Sequence, residues 1–142
     1  MRASIFLIGL ALSVANPAWA SVGRIKTVAG EASIIRGPAS IPAIPGSPIE
    51  EGDVLVTGKA GRLGVVFIDD TRFALGPSSK ITVNELNFDR KGIQGTFVAS
   101  VNRGTLGIVP GKIAKSNKEA MKVRTPTSLL GVRGTKFVVD VK

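Results

Sequence analysis

The stretch VRTPTSLLGVRGTKFVVDV, residues 123–141, decides the fold. Pro126 interrupts it early, Gly131 and Gly134 follow, and an alternating run begins at Phe137. Proline cannot donate a backbone hydrogen bond and glycine adopts turn conformations readily, so long helices are disfavoured here. Alternation of apolar and polar residues is typical of half-buried strands. The segment therefore predicts short strands joined by tight turns, with Pro126, Gly131 and Gly134 serving backbone geometry.

The middle of the chain repeats this character. TGKAGR at 57–62 precedes a strand-like run, Asp69-Asp70-Thr71 forms a turn, and a second run ends in LGPSS at 75–79. These features, with Thr125-Pro126, the GVRGT of 131–135 and the run from Phe137 to Val141, resemble the FecR domain. The resemblance covers residues 50–141 and implies the periplasmic module of iron-dicitrate-type regulators, which relays a signal from an outer-membrane transporter to a sigma factor.

One turn departs from the pattern of the family that the chain resembles. Asp70 stands where the FecR pattern has glycine, and aspartate tolerates positive φ better than most residues. We therefore expect Asp69 and Asp70 to be turn residues and not a metal-binding or catalytic pair. The regulators also have a cytoplasmic helical segment, an internal anchor and a further domain, which this sequence does not show. We expect a stand-alone exported form of the domain.

The first twenty residues predict export. Arg2 precedes a short apolar run, Pro17 breaks that run, and the small residues of Ala18-Trp19-Ala20 end the segment. This order is typical of a secretory signal peptide, and the run is shorter than the roughly 20 residues of a membrane-spanning helix. The sequence predicts a signal peptide at 1–20, a domain at 21–142, and a periplasmic or secreted product.

Missing residue types exclude much chemistry. Cys, His and Tyr are absent from the 142 residues. Disulfides, thiol nucleophiles, imidazole bases and the commonest zinc ligands are therefore excluded. Acid–base catalysis would depend on ten Asp and Glu residues, which fall mostly at predicted strand ends and turns. We expect a protein that is not an enzyme and needs no cofactor or metal.

Strand signals recur at intervals of about ten residues, which is typical of all-β folds. We expect two packed sheets or a solenoid-like coil, an opening hairpin around Ala29-Gly30, an extended loop at 37–48, and a tight turn at Arg103-Gly104-Thr105. The predicted strands are 24–28, 31–35, 53–57, 62–68, 72–75, 80–86, 96–101, 105–109, 121–124 and 136–141. The predicted core residues are Val65, Phe67, Phe73, Leu75, Ile81, Phe97, Val101, Leu106, Ile108, Val123, Phe137 and Val139.

Positive charge is concentrated in the second half of the chain. Residues 90–142 carry eleven Lys and Arg against two Asp and Glu, whereas residues 21–89 carry seven against eight. Such asymmetry can steer an acidic partner toward one face, although a solvated surface would show the same composition. The candidate contact residues are Lys112, Lys115, Lys118, Lys122, Arg124 and Arg133.

The segment 112–124 has two possible structures. A helix would gather its lysines on one face. A hairpin turning at Ser116-Asn117-Lys118 fits the alternation better, with Met121 and Val123 buried.

The binding partner of these basic residues would be an envelope protein or, alternatively, an acidic polymer such as lipopolysaccharide or an acidic glycan. Nucleic acid is disfavoured because few aromatic side chains accompany the charges. The sequence leaves the oligomeric state open.

Overall fold

The strands and one short helix are defined in a computed structural model that describes residues 21–89, 91 and 94–142. The predicted signal peptide lies outside the described residues. Strands make up 59% and helix 4% of the structure, so the all-β prediction is confirmed. The elements are β1 (Gly23–Ala29), β2 (Ala32–Arg36), β3 (Ala39–Pro42), β4 (Pro48–Ile49), β5 (Val54–Thr57), β6 (Arg62–Phe67), β7 (Arg72–Leu75), β8 (Lys80–Asp89), β9 (Gln94–Val109), α1 (Lys112–Ser116), β10 (Met121–Arg124), β11 (Leu129–Gly131) and β12 (Phe137–Val141).

The strands form one curled sheet of half-barrel shape. Its main path runs β3-β2-β5-β8-β9-β7-β6-β1-β4, with β10 and β12 also paired to β9 and β11 paired to β10. All pairs are antiparallel except β9 with β10, which is parallel. The finer expectation of two packed sheets or a solenoid-like coil is not confirmed.

The long strand β9 joins the two halves of the sheet. Its residues before Gly104 pair with β8 and β10, and its residues after Gly104 pair with β7 and β12. Gly104 has a φ of 88°, and a Cβ there would overlap Ser79. The hydroxyl of Ser79 accepts a hydrogen bond from the Thr105 amide at 2.9 Å. The predicted strand-ending turn at this point is wrong, because glycine lets the strand bend without ending.

The core lies on the inner side of the curl. Three phenylalanines meet there: the ring centroids of Phe67 and Phe73 are 4.7 Å apart and those of Phe67 and Phe97 are 4.8 Å apart, both edge to face. Phe97 lies in the first half of β9, so these contacts join the two halves of the sheet. The predicted core is confirmed, with every member buried except Phe137, which is partly buried against it.

Two connections differ from the sequence predictions. The opening strands β1 and β2 do not form a hairpin: β1 pairs with β6 and β4, while β2 pairs with β5 and β3. Gly30, between them, lies so close to the Ala60 carbonyl that a Cβ would not fit. The predicted loop at 37–48 also contains β3 and the start of β4, because its prolines lie at strand ends where they disrupt few hydrogen bonds.

Candidate functional site

The basic segment begins with a short helix. Residues Lys112–Ser116 form α1, so the hairpin expected for 112–124 is wrong in its first half. Its second half is correct, since β10 is a strand and buries Met121 and Val123. In the expected hairpin β10 would pair with residues 112–115, but it pairs with β9 instead. This arrangement separates Lys112 and Lys115, on the helix, from Lys122 and Arg124, on β10.

The turn residue Asp69 holds the start of this helix. Its carboxylate, which is fully buried, accepts hydrogen bonds from the Thr71 amide (3.1 Å), the Thr71 hydroxyl (2.7 Å) and the Ile113 amide (3.3 Å). Gly111 precedes the helix and offers no capping side chain. Asp69 therefore supplies the acceptor that a helix amino terminus needs, from the β6–β7 turn.

Asp70 has the opposite environment. It is exposed, has a φ of 69°, and its carboxylate lies 3.2 Å from the ammonium group of Lys112. An exposed ion pair of this kind contributes little to stability. Lys112 is thus directed toward the β6–β7 turn, whereas Lys115 runs beside Gly134, 3.7 Å from the position of an added Cβ.

Four of the six candidate cations gather around the β10–β11 pair. Lys122 is paired with Gly131 and Arg124 with Leu129, so these residues share one face of the two strands. Lys118, Lys122 and Arg133 line one surface depression of about 360 Å³ together with Leu129. We call Lys118, Lys122, Arg124, Arg133 and Leu129 the basic surface. Of the residues that the structure describes, Glu119 is the one carboxylate that lines the depression.

Leu129 was not among the predicted contact residues. Its side chain is 58% exposed, although it is large and apolar, and it lines the same depression as Lys118, Lys122 and Arg133. In the sequence, Leu129 and Leu130 form one short apolar run that is typical of a buried strand. Exposure arises because β11 pairs with β10 alone within the described ranges, which leaves it at an edge.

The turn residues of the closing stretch are placed differently from each other. Pro126 lies in the loop between β10 and β11, where the Thr125 hydroxyl accepts a hydrogen bond from the Ser128 amide at 3.0 Å. Gly131 and Gly134 do not have positive φ, and an added Cβ would meet no atom closer than 3.7 Å at either. The expectation that backbone geometry requires these two glycines is therefore wrong.

Among the described residues, the other buried charged side chain, Asp53, also has a structural role. Asp53 is 1% exposed and accepts two hydrogen bonds from the Arg36 guanidinium, at 2.9 and 2.7 Å, and one from the Glu50 amide at 2.8 Å. The hydrogen bond to Asp53 raises the pKa of Arg36 above its ordinary value. This ion pair ties the end of β2 to the start of β5.

Residues 21–89, 91 and 94–142 contain no cluster of three or more side chains able to hold a metal ion. Over the same part of the chain, none of the helical structure is long and apolar enough to cross a membrane. The candidate site is the exposed basic surface, where cations and one apolar side chain line the same depression.

The family follows from a comparison with protein-family models. A model described as FecR protein matches residues 53–142. The chain belongs to the FecR family. FecR domains are envelope-associated regulatory modules, and the matched span holds β5 to β12 with the basic surface. The strands before it, β1 to β4, lie at both ends of the FecR sheet. No curated protein and no solved structure matches the chain.

Proposed function

We propose that this chain is an exported, non-enzymatic FecR domain that acts in envelope signalling by binding an acidic protein partner on its basic surface. The observation that carries this proposal is the grouping of Lys118, Lys122 and Arg133 around the exposed Leu129. Protein interfaces combine an apolar centre with a polar, charged rim. Export is supported by the signal-peptide character of residues 1–20 in the sequence.

The alternative partner is an acidic polymer of the envelope. An acidic polymer would be held on this surface mainly through its charges, and its affinity would fall steeply with salt because counterions are released on binding. Leu129 favours a protein over a polymer, since an exposed apolar side chain among the cations gains free energy when another apolar surface covers it.

The non-enzymatic part of the proposal rests on how the carboxylates are used. Asp53 and Asp69 are buried, and each already accepts three hydrogen bonds. Glycosidase chemistry requires two carboxylates on opposite sides of a substrate-sized gap. Assays of glycan hydrolysis with the wild type and with Asp69→Asn and Asp70→Asn variants test this part. An activity that either substitution abolishes would contradict it.

Capture from an envelope extract tests the binding surface. Wild type, a Lys122→Glu/Arg133→Glu variant and a matched Lys59→Glu/Arg62→Glu variant are compared by quantitative mass spectrometry. The matched variant makes the same change of charge at exposed residues of the β5–β6 connection and β6. We expect the wild type and the matched variant to retain an acidic protein that the first variant loses. Recovery of every partner by all three proteins would contradict the proposal.

A Leu129→Ser variant separates the two kinds of partner. A protein partner should be lost or weakened because the apolar centre is removed. A purified acidic glycan, which carries no acyl chains, should bind this variant as well as the wild type, with a steep salt dependence. If Leu129→Ser and the wild type captured the acidic protein equally, and this binding weakened steeply with salt, the contact would depend on charge and not on Leu129. That result would favour the acidic-polymer alternative.

A further inference from the structure

The outer face of the sheet carries a second feature, an apolar groove across β6, β7, β9 and β12. It has a volume of about 520 Å³, which is within the usual range of small-molecule sites. The paired positions Gly64, Ala74 and Gly107 form its floor, and Val138 lies next in the same row. Residues paired in this way point to one face of a sheet, here the face away from the core.

Apolar side chains that line the groove are exposed. Val138 is 68% exposed and Val109 is 37% exposed. The first half of the same strand, β9, shows the usual solvent-facing pattern, with Ser100 and Asn102 on the outer face. The outer face of β9 is therefore polar at Ser100 and Asn102 but apolar and exposed at the groove, where an apolar group could cover it.

Cations stand along one side of the groove. Arg72 is paired with Val109, and Lys136 immediately precedes the Phe137–Ile108 pair, so Arg72 and Lys136 lie on either side of Val109. Strand spacing separates these two residues by about 10 Å. Lys26, at the β-bulge of β1, lines the groove as a third cation. Among the described residues, no carboxylate lines the groove and none forms an ion pair with these cations.

We propose that this groove binds a monomeric amphiphile with one acyl chain and an anionic head group. The acyl chain would cover the floor, gaining free energy with each methylene removed from water. The head group would lie beside Arg72 and Lys136, where its charge is complementary. A sugar or nucleotide fits less well, because the floor side chains offer no hydrogen-bonding groups. This site is separate from the basic surface and does not depend on the function proposed above.

The floor can be filled without disturbing the backbone. A Cβ at Gly107 would meet only Ala74, at 3.7 Å, and Ala74 itself is exposed. Gly107→Leu and Ala74→Leu therefore place a side chain in the groove by two independent routes. Asn102→Leu is the matched control, since it adds an apolar side chain to the polar part of the same outer face.

Isothermal titration of the purified protein with dodecanoate below its micelle concentration tests the proposal. Butanoate has the same head group with a short chain, and dodecyltrimethylammonium has the same chain with a positive head group. We expect dodecanoate alone to bind, and Gly107→Leu, Ala74→Leu and Arg72→Glu/Lys136→Glu each to weaken it about tenfold or more. Asn102→Leu should bind as the wild type does, and circular dichroism should show all variants folded.

Several results would overturn the proposal. These are equal binding of the cationic amphiphile, unchanged dodecanoate affinity in both filled variants that remain folded, and binding to phosphatidylglycerol vesicles without binding of monomeric dodecanoate. Self-association that Ala74→Leu abolishes, with no dodecanoate binding, would instead identify the groove as a contact between copies of the chain.

Discussion

The carboxylate of Asp69 accepts a hydrogen bond from the backbone amide of Ile113 at 3.3 Å, although 44 positions separate the two residues. The same carboxylate accepts two hydrogen bonds from Thr71. One buried side chain thus fixes the β6–β7 turn and the start of α1. The Lys112 amide adds a bond to the Asp69 carbonyl at 2.8 Å. The β6–β7 turn therefore sets the position of α1 and the path by which the chain enters β10.

Replacing Asp69 by alanine should lower the free energy of unfolding by about 3 kcal/mol, because buried donors lose a charged acceptor. Urea unfolding followed by circular dichroism measures the change. Asp70→Gly is the matched control: it removes an exposed ion pair but relieves positive φ, so the net change should be below about 1 kcal/mol. Equal losses in the two variants would show that the buried hydrogen bonds are not what stabilises this turn.

The bend in β9 depends on Gly104. Gly104→Ala should destabilise the protein by about 2 kcal/mol or more, since the side chain meets Ser79 and φ is positive. Gly107→Ala, Gly131→Ala and Gly134→Ala should change stability by less than about 1 kcal/mol, because each has room for a Cβ. Thermal unfolding ranks the four variants. A ranking in which Gly104→Ala is among the mildest would contradict the bend described here.

Much of the fold could be predicted because strand formation here follows local pattern. The alternation of Phe97, Ala99 and Val101 identifies the buried face of β9, and these residues are buried. Strand pairing could not be predicted in the same way. Ala29-Gly30 has the composition of a hairpin turn, yet Gly30 serves the close approach of the Ala60 carbonyl. Such a contact between distant turns leaves no signal in the local sequence.

The candidate site was predicted in part for the same reason. Clustering of charge in the sequence identified Lys118, Lys122 and Arg133, which line one depression. Charge clustering did not show that Lys112 lies apart from this depression. Lys112 is directed toward Asp70 by α1, and the start of α1 is held by Asp69, which lies 44 positions before Ile113 in the sequence. Leu129 was missed because exposure of an apolar strand residue depends on whether a neighbouring strand covers it.

The ion pair of Arg36 and Asp53 should be a second stabilising contact between distant strands. Asp53→Asn should cost about 2 kcal/mol, less than for a fully buried pair because Arg36 is partly exposed. Glu50→Gln should cost less than about 1 kcal/mol, since Glu50 is a secondary partner of Arg36 at 3.0 Å. Urea titrations of both variants measure this difference, and a larger loss for Glu50→Gln would contradict the assignment.

The raised pKa of Arg36 fixes the sign of its pH dependence. A cation whose pKa is higher in the folded state contributes stability at every pH below its unfolded pKa, and that stability is lost only as pH rises through the folded value. For arginine this lies at strongly alkaline pH. The contribution of Arg36 should therefore stay constant from about pH 5 to 9. Comparing the unfolding free energies of the wild type and an Arg36→Gln variant across that range checks this.

Site-specific photocrosslinking in living cells tests the central claim most directly. A photoreactive amino acid replaces Leu129 in one strain and Asn102, on the polar outer face, in another. If the basic surface binds its partner, position 129 should give a discrete adduct with an acidic envelope protein and position 102 should not. Adding Lys122→Glu/Arg133→Glu should abolish the adduct from position 129. Identical adducts from both positions, or adducts with cytosolic proteins alone, would contradict binding at this surface.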